Sequence, residues 1–123
     1  PATPSEEVLR SKVRHFPLPE AEWFEICAGQ LVLTSECISF EPRYRPRESN
    51  DQRRARSHTI PLAQVTQAAR DTWFHIPCLR VTTRHEAYRY GWPPQREELS
   101  THFQVGQWLD ALASLGAEVD RES

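Results

Sequence analysis

Between Pro42 and Ser57 the chain reads PRYRPRESNDQRRARS, with Arg43, Arg45, Arg47, Arg53, Arg54 and Arg56 set against two acids, Glu48 and Asp51. A guanidinium group is a planar fork of donors that matches phosphate or carboxylate two bonds at a time, which a lysine ammonium cannot do. The preference runs through the whole chain: of its 15 basic residues only Lys12 is a lysine. Such a density predicts an anion-binding segment, with Tyr44 as an aromatic contact inside it. No aliphatic residue larger than Ala55 occurs there, so the segment is expected to be an exposed loop that adds nothing to a core. The plainer alternative is a solvated excursion without a ligand. Arg54-Ala55-Arg56-Ser57 also resembles a site for arginine-directed kinases, a pattern short enough to arise by chance.

Other chemistry is poorly supplied. There is no nucleophile elbow, no glycine-rich phosphate loop and no HExxH, and the pairs Glu6-Glu7 and Glu97-Glu98 read as solvated. Asp71 and His75 could meet across a turn, an arrangement that is usually structural. Cys27, Cys37 and Cys78 have no CxxC spacing, and His15, His58, His75, His85 and His102 have no metal-ligand spacing. The expectation is a chain that is not an enzyme and that takes no metal or cofactor. An odd number of cysteines favours free thiols in a reducing compartment.

The elements that must position the arginines come next. A chain of 123 residues makes one domain and can bury roughly two-thirds of its extended surface. Its 15 basic and 17 acidic residues point to neither nucleic acid nor membrane by net charge, and no apolar run approaches the ~18 residues of a membrane span. In THFQVGQWLDALASL, Val105, Trp108, Leu109 and Leu112 recur at i, i+3, i+4 and i+7. That is one stripe of a helix, with Ser100 or Thr101 as its cap and Gly116 at its end. A single helix with one apolar stripe needs a sheet to cover. Upstream, QLVLT and CISF alternate with period two about Ser35-Glu36 and predict a hairpin that buries Leu31, Leu33, Ile38 and Phe40.

Ile60 and Leu62 flank Pro61, which predicts a short strand at an edge or bulge. Val65 to Arg70 predicts another strand. Asp71 to Pro77 is expected to be a turn that carries Trp73 and Phe74, rings that either close the barrel or form a contact tip. Ser5 is a candidate cap for a short helix through Arg14, with Val8, Leu9 and Val13 as a thin apolar face. Trp23 to Cys27 is a candidate first strand, with Gly29 and Gln30 turning the chain.

CLRVTT and EAYRYGW predict a hairpin turning at Arg84-His85. An even-length loop there sets Val81 opposite Tyr88, Leu79 opposite Tyr90, and Arg80 opposite Arg89. Like charges opposed in an antiparallel pair destabilise by up to ~1 kcal/mol, so a compensating partner is required. An acid on a neighbouring strand or plain solvent exposure would suffice; an anionic ligand held between the two guanidinium groups is the alternative.

The order of these pieces resembles the PH-like superfold, nearest its GRAM and bacterial PH-type forms. Gly29, Leu31, Leu33 and Thr34 match its G-x-L-x-L-T strand, Ile60, Pro61, Leu62 and Val65 its I-P-L-x-x-V strand, and Trp108 its closing helix. The resemblance implies a mainly β (α+β) fold: an antiparallel barrel or sandwich of about seven strands capped by one C-terminal helix. It divides the chain into an N-terminal arm or short helix (1–16), the domain (17–116) with its exposed loop (43–57), and a tail (117–123). It also implies a non-catalytic module that binds lipid head groups, peptides or other domains. The basic pattern that phosphoinositide-binding members carry on their first hairpin is absent, since Gly29 to Phe40 holds no basic residue. The expected function is an adaptor that recognises an acidic protein surface or a phospholipid through Arg43, Arg45, Arg47, Arg53, Arg54, Arg56, Arg80 and Arg89. It would act in the cytoplasm, free or peripheral to a membrane. The alternatives are a nucleotide or nucleic-acid binder that stacks bases on Tyr44 or Trp73, and a ligand-free scaffold that self-associates through a sheet edge.

Overall fold

The computed structural model describes residues 7–16, 26–43, 47–73, 76–92 and 101–120. One eight-stranded sheet carries the fold, in the order β4-β3-β2-β1-β7-β6-β5-β8. Its strands are β1 (Glu7–His15), β2 (Cys27–Thr34), β3 (Cys37–Pro42), β4 (His58–Pro61), β5 (Val65–Trp73), β6 (Ile76–Thr83), β7 (Ala87–Gly91) and β8 (Val119–Asp120). Two helices accompany them, α1 (Asn50–Arg56) and α2 (Thr101–Ser114). All pairings are antiparallel except β5 with β8.

The sheet curls because each strand has one apolar face. Leu31, Leu33, Ile38, Phe40, Ile60, Leu79, Val81 and Tyr90 all point inward and are buried. α2 lays Val105, Trp108, Leu109 and Leu112 over them, and the Trp108 indole N–H donates to Ser11 Oγ at 2.9 Å. The helix ends as its sequence requires. Gly116 takes φ +91°, its N–H donates to Ala113 O, and that of Ala117 donates to Leu112 O. This is the double bond of a left-handed helix stop.

Both hairpins keep their expected register. Leu31 faces Phe40 and Leu33 faces Ile38; Val81 faces Tyr88, Leu79 faces Tyr90, and Arg80 faces Arg89. β4 lies at a sheet edge, where Pro61 withholds no needed donor. Ser100 lies outside the described residues, and Thr101 is already the first residue of α2.

Other expectations need correction. Residues 7–15 are neither arm nor helix: they form β1, paired along its length with β2 and, at Arg14 and His15, with β7. Leu9, Ser11, Val13 and His15 face inward and Arg10, Lys12 and Arg14 outward, so the period is two. The domain therefore begins well before residue 17. Gly29 and Gln30 turn nothing; they lie within β2 opposite Pro42 and Glu41. A side chain at Gly29 would meet Phe40 Cζ at 2.8 Å, so close approach of the strands requires glycine there. Trp23 to Glu25 lie outside the described residues. The expected turn from Asp71 to Pro77 is mostly strand, because β5 runs to Trp73 and β6 starts at Ile76. Leu62 belongs to a short 3-10 turn, not to β4. The tail supplies β8, and just before it the Glu118 carbonyl accepts from Ala68 N–H at 2.8 Å. The arginine-rich insert holds α1, which Ser49 starts with a capping box: its hydroxyl accepts from Gln52 N–H while the Gln52 side chain accepts from Ser49 N–H.

Candidate anion-binding groove

The arginines named from sequence have different fates. Arg56 is a strut. Its guanidinium donates to both carboxylate oxygens of Glu48 (2.7 and 2.5 Å), to Arg43 O (3.0 Å) and to the sulfur of buried Cys27 (2.6 Å). Glu48 holds it firmly charged, raising its pKa, while its side chain stays only 19% exposed. The insert is thus tied to β2 from within, and Glu48, Arg53 and Arg56 are half-buried where full exposure was expected. Arg54 projects into solvent, 3.7 Å from Asp51. Arg53 Nε donates to Pro42 O at 2.8 Å. Arg47 is exposed at φ 65°. Arg45 and Tyr44 lie outside the described residues.

Arg80 and Arg89 are opposite one another, and their compensation is an acid on a neighbouring strand. Asp71 of β5 places one carboxylate oxygen 3.8 Å from Arg80 and 3.9 Å from Arg89. Arg89 is buried and its Nε has no hydrogen-bond partner among the described residues. Asp71 therefore occupies the position between the guanidinium groups where an anionic ligand was the alternative. Trp73 closes β5 by its backbone, and Phe74 lies outside the described residues.

The groove lies on the outer face of β1, β2 and β3. Lys12, Arg14, Ala28, Gln30, Glu41, Arg43 and Arg53 line a trough of about 660 Å³. Its floor follows from the ladder. Arg14 pairs with Ala28, and Arg43 N–H donates to Ala28 O at 2.9 Å, so a methyl group lies between two long cationic side chains on adjacent strands. Strands about 4.8 Å apart set the two arginine backbones roughly 10 Å from each other, a span their side chains can close over an oxyanion. The next row sets Lys12 beside Gln30 and Gln30 beside Glu41. Lys12, Arg14 and Arg43 are exposed, and their charged groups have no ion-pair or hydrogen-bond partner among the described residues. Arg10, one row further, is spent on Glu7, Gln30 and Glu41.

Lys12, Arg14 and Ala28 were missed from sequence. The signal was present in EVLRSKVRH, where cations alternate with inward residues, but Ser11 and His15 at inward positions disguised the alternation.

A second cluster lies inside the sheet. His15, Phe40, His58, Tyr88 and Tyr90 gather with ring centroids 4.8 to 6.4 Å apart. His58 Nε2 and Tyr90 OH share a hydrogen bond of 2.5 Å. Burial lowers His15 to about 4, helped by the charge His58 would carry, and burial lowers His58 to about 4 against the pull of Glu86. Tyr88, bonded to Glu86, rises to about 12. Both imidazoles are neutral at neutral pH and serve as packing. Among the described residues no group of three His, Cys, Asp or Glu side chains could hold a metal.

No protein-family model matches the chain, and no curated protein matches it by sequence. Solved structures do match by shape. The hSac2 domain from the human phosphoinositide phosphatase Sac2 superposes with a TM-score of 0.64 at 10% identity, covering 98% of this chain and 79% of that one. The N-terminal PH domain of Vps36 gives 0.63 at 12%, covering 91% and 82%. The fold is PH-like. The N-terminal PH domain of human ARAP2 gives 0.55 at 13% identity, covering 100% of this chain and 93% of that one. These neighbours support the PH-like fold without singling out its GRAM form. Within that PH-like frame, the insert between β3 and β4 brings Arg53 to the outer face of the first three strands.

Proposed function

We propose that this PH-like domain is a non-catalytic binding module whose groove recognises a phosphoryl or carboxylate group presented by a partner. One observation carries the reading: Lys12, Arg14 and Arg43 stand unpaired among the described residues around the open floor at Ala28, while neighbouring Arg10 and Arg56 are neutralised by acids. Exposed cations left unpaired in a concave site repel one another until an anion enters. The PH-like neighbours fit a binding role. Base stacking has no platform in the groove, since no aromatic ring lines it among the described residues.

The test is co-sedimentation with phosphatidylserine-containing and neutral vesicles, run beside titration of a fluorescent acidic peptide, at low and physiological salt. Two variants accompany the unmodified chain: Lys12→Ala/Arg14→Ala/Arg43→Ala, and Ala28→Glu. The second leaves every cation in place and builds a carboxylate into the floor. Both should bind at least tenfold more weakly with unchanged thermal stability, and binding should weaken as salt rises. Binding that survives Ala28→Glu would move the site elsewhere. Retention of vesicles or of peptide identifies the source of the anion.

A further inference from the structure

Arg53 belongs to two cavities. Besides the groove, it lines a pocket of about 500 Å³ with Glu41, Asn50, Arg54 and Ser57. Ser57 is exposed, extended at φ −80°, ψ 154°, and lies between α1 and β4 outside the ladder. Its hydroxyl donates to Arg54 O at 2.6 Å. We propose that Ser57 is a phosphorylation site whose phosphate binds Arg53 and Arg54 and thereby closes the groove to its partner. The inference rests on the groove reading for its consequence and stands apart from it for its chemistry.

Three features support the acceptor. Arg54 precedes Ser57 by three residues, Arg53 by four and Arg56 by one, the charge pattern by which arginine-directed kinases select a hydroxyl. Thr59, three residues after Arg56, is unsuitable: it sits in the β4 ladder opposite Ser39, and its Oγ1 lies 3.4 Å from Ser39 Oγ. α1 has seven residues and buries none of them, so what must open to fit an extended kinase cleft is one short helix, together with the bonds of Arg53 to Pro42 O and of Arg56 to Glu48. Transfer is an ordinary exchange with a nucleoside triphosphate. Ser57 Oγ forms the new P–O bond, the bond to the β-phosphate breaks, the diphosphate leaves, and the hydroxyl proton goes to the kinase base.

The consequence follows from charge. A phosphate ester cannot donate to Arg54 O, so the hydroxyl bond is lost while Ser57 N–H still donates there at 3.1 Å, and about two negative charges then lie beside two guanidinium groups. Arg53 turned to that phosphate is withdrawn from the groove, and the field that attracts an outside anion falls. Phosphate and partner compete for one arginine.

The full chain is incubated with an arginine-directed protein kinase, Mg²⁺ and ATP, alongside Ser57→Ala. The site is mapped by mass spectrometry, and the phosphoserine is titrated by phosphorus NMR, also in Arg53→Ala. The expected result is one phosphate at Ser57. Its pKa should lie below the free value of about 6 and return toward it in Arg53→Ala. Binding of phosphatidylserine vesicles or of the acidic peptide should fall at least tenfold. Incorporation elsewhere or not at all, a phosphoserine that titrates as in a free peptide, or unchanged binding overturns the proposal. If the unmodified chain binds neither probe, the groove reading fails by itself, and the titration alone decides the Ser57 site.

Discussion

Arg43 and Arg56 flank the same insert, carry the same charge, and differ in what lies within reach. Arg56 meets Glu48, whose side chain is only 8% exposed, and becomes part of the structure; Arg43 meets no acid among the described residues and stays available. Substitution should separate the two roles. Glu48→Gln leaves a half-buried guanidinium without its counter-charge and should cost roughly 1–3 kcal/mol, read as a lower urea midpoint. Arg43→Ala should leave that midpoint within about 0.5 kcal/mol, as exposed substitutions usually do. An equal loss in both would show that Arg56 is no strut. This division was not legible in PRYRPRESNDQRRARS, because every arginine there has the same local chemistry. Glu48, Cys27 and Pro42 O decide among them, and they meet only in the folded chain. The Arg80–Arg89 opposition was legible to the pair, since period two and an even loop fix a register. That Asp71 supplies the compensation needed β5 placed beside β6.

Among the elements, legibility followed how completely a face is buried. The β2–β3 and β6–β7 hairpins and α2 each place large apolar residues at most of their inward positions, so their periods survive in the sequence. β1 does not, because Ser11 accepts the Trp108 indole N–H and His15 joins the aromatic cluster, and both polar residues break the pattern. With those two discounted, Val8, Leu9 and Val13 suggest a helix face, and Val8 proves exposed. The correction has a mechanical consequence. An arm can be removed; a strand bonded to β2 on one side and β7 on the other cannot. Deletion of residues 1–16 should abolish cooperative unfolding in circular dichroism and calorimetry. A truncated chain that melts sharply near the temperature of the full one would restore the arm.

Across the whole molecule, the two halves of the sheet meet through rings. His58 of β4 stacks on Tyr88 of β7 at 4.8 Å and bonds Tyr90, while His15 of β1 stands between them. Acid should act here. Folded, both imidazoles titrate at about 4; unfolded, at about 6.5. Above 6.5 each is neutral in both states and stability is flat. From there down to about 4 the unfolded chain takes up protons that the folded chain refuses, so stability falls, and below 4 this contribution levels off. Urea midpoints between pH 7.5 and 4 should trace that decline, and His58→Gln should flatten it. An unchanged slope in His58→Gln would assign the acid sensitivity to other groups.

The place of β1 also sets an order of events in time. Among the described strands β1 leaves the ribosome before the other seven, yet His15 meets Tyr90 only after about 75 further residues have followed. At ordinary rates of synthesis the interval is roughly 4–15 s, during which a paired β1–β2 ribbon leaves one row of backbone groups open to any passing strand. Alternating cations discourage such association. Arg10, Lys12 and Arg14 thus set a row of like charges on that open ribbon before the sheet closes, and two of them line a groove afterwards.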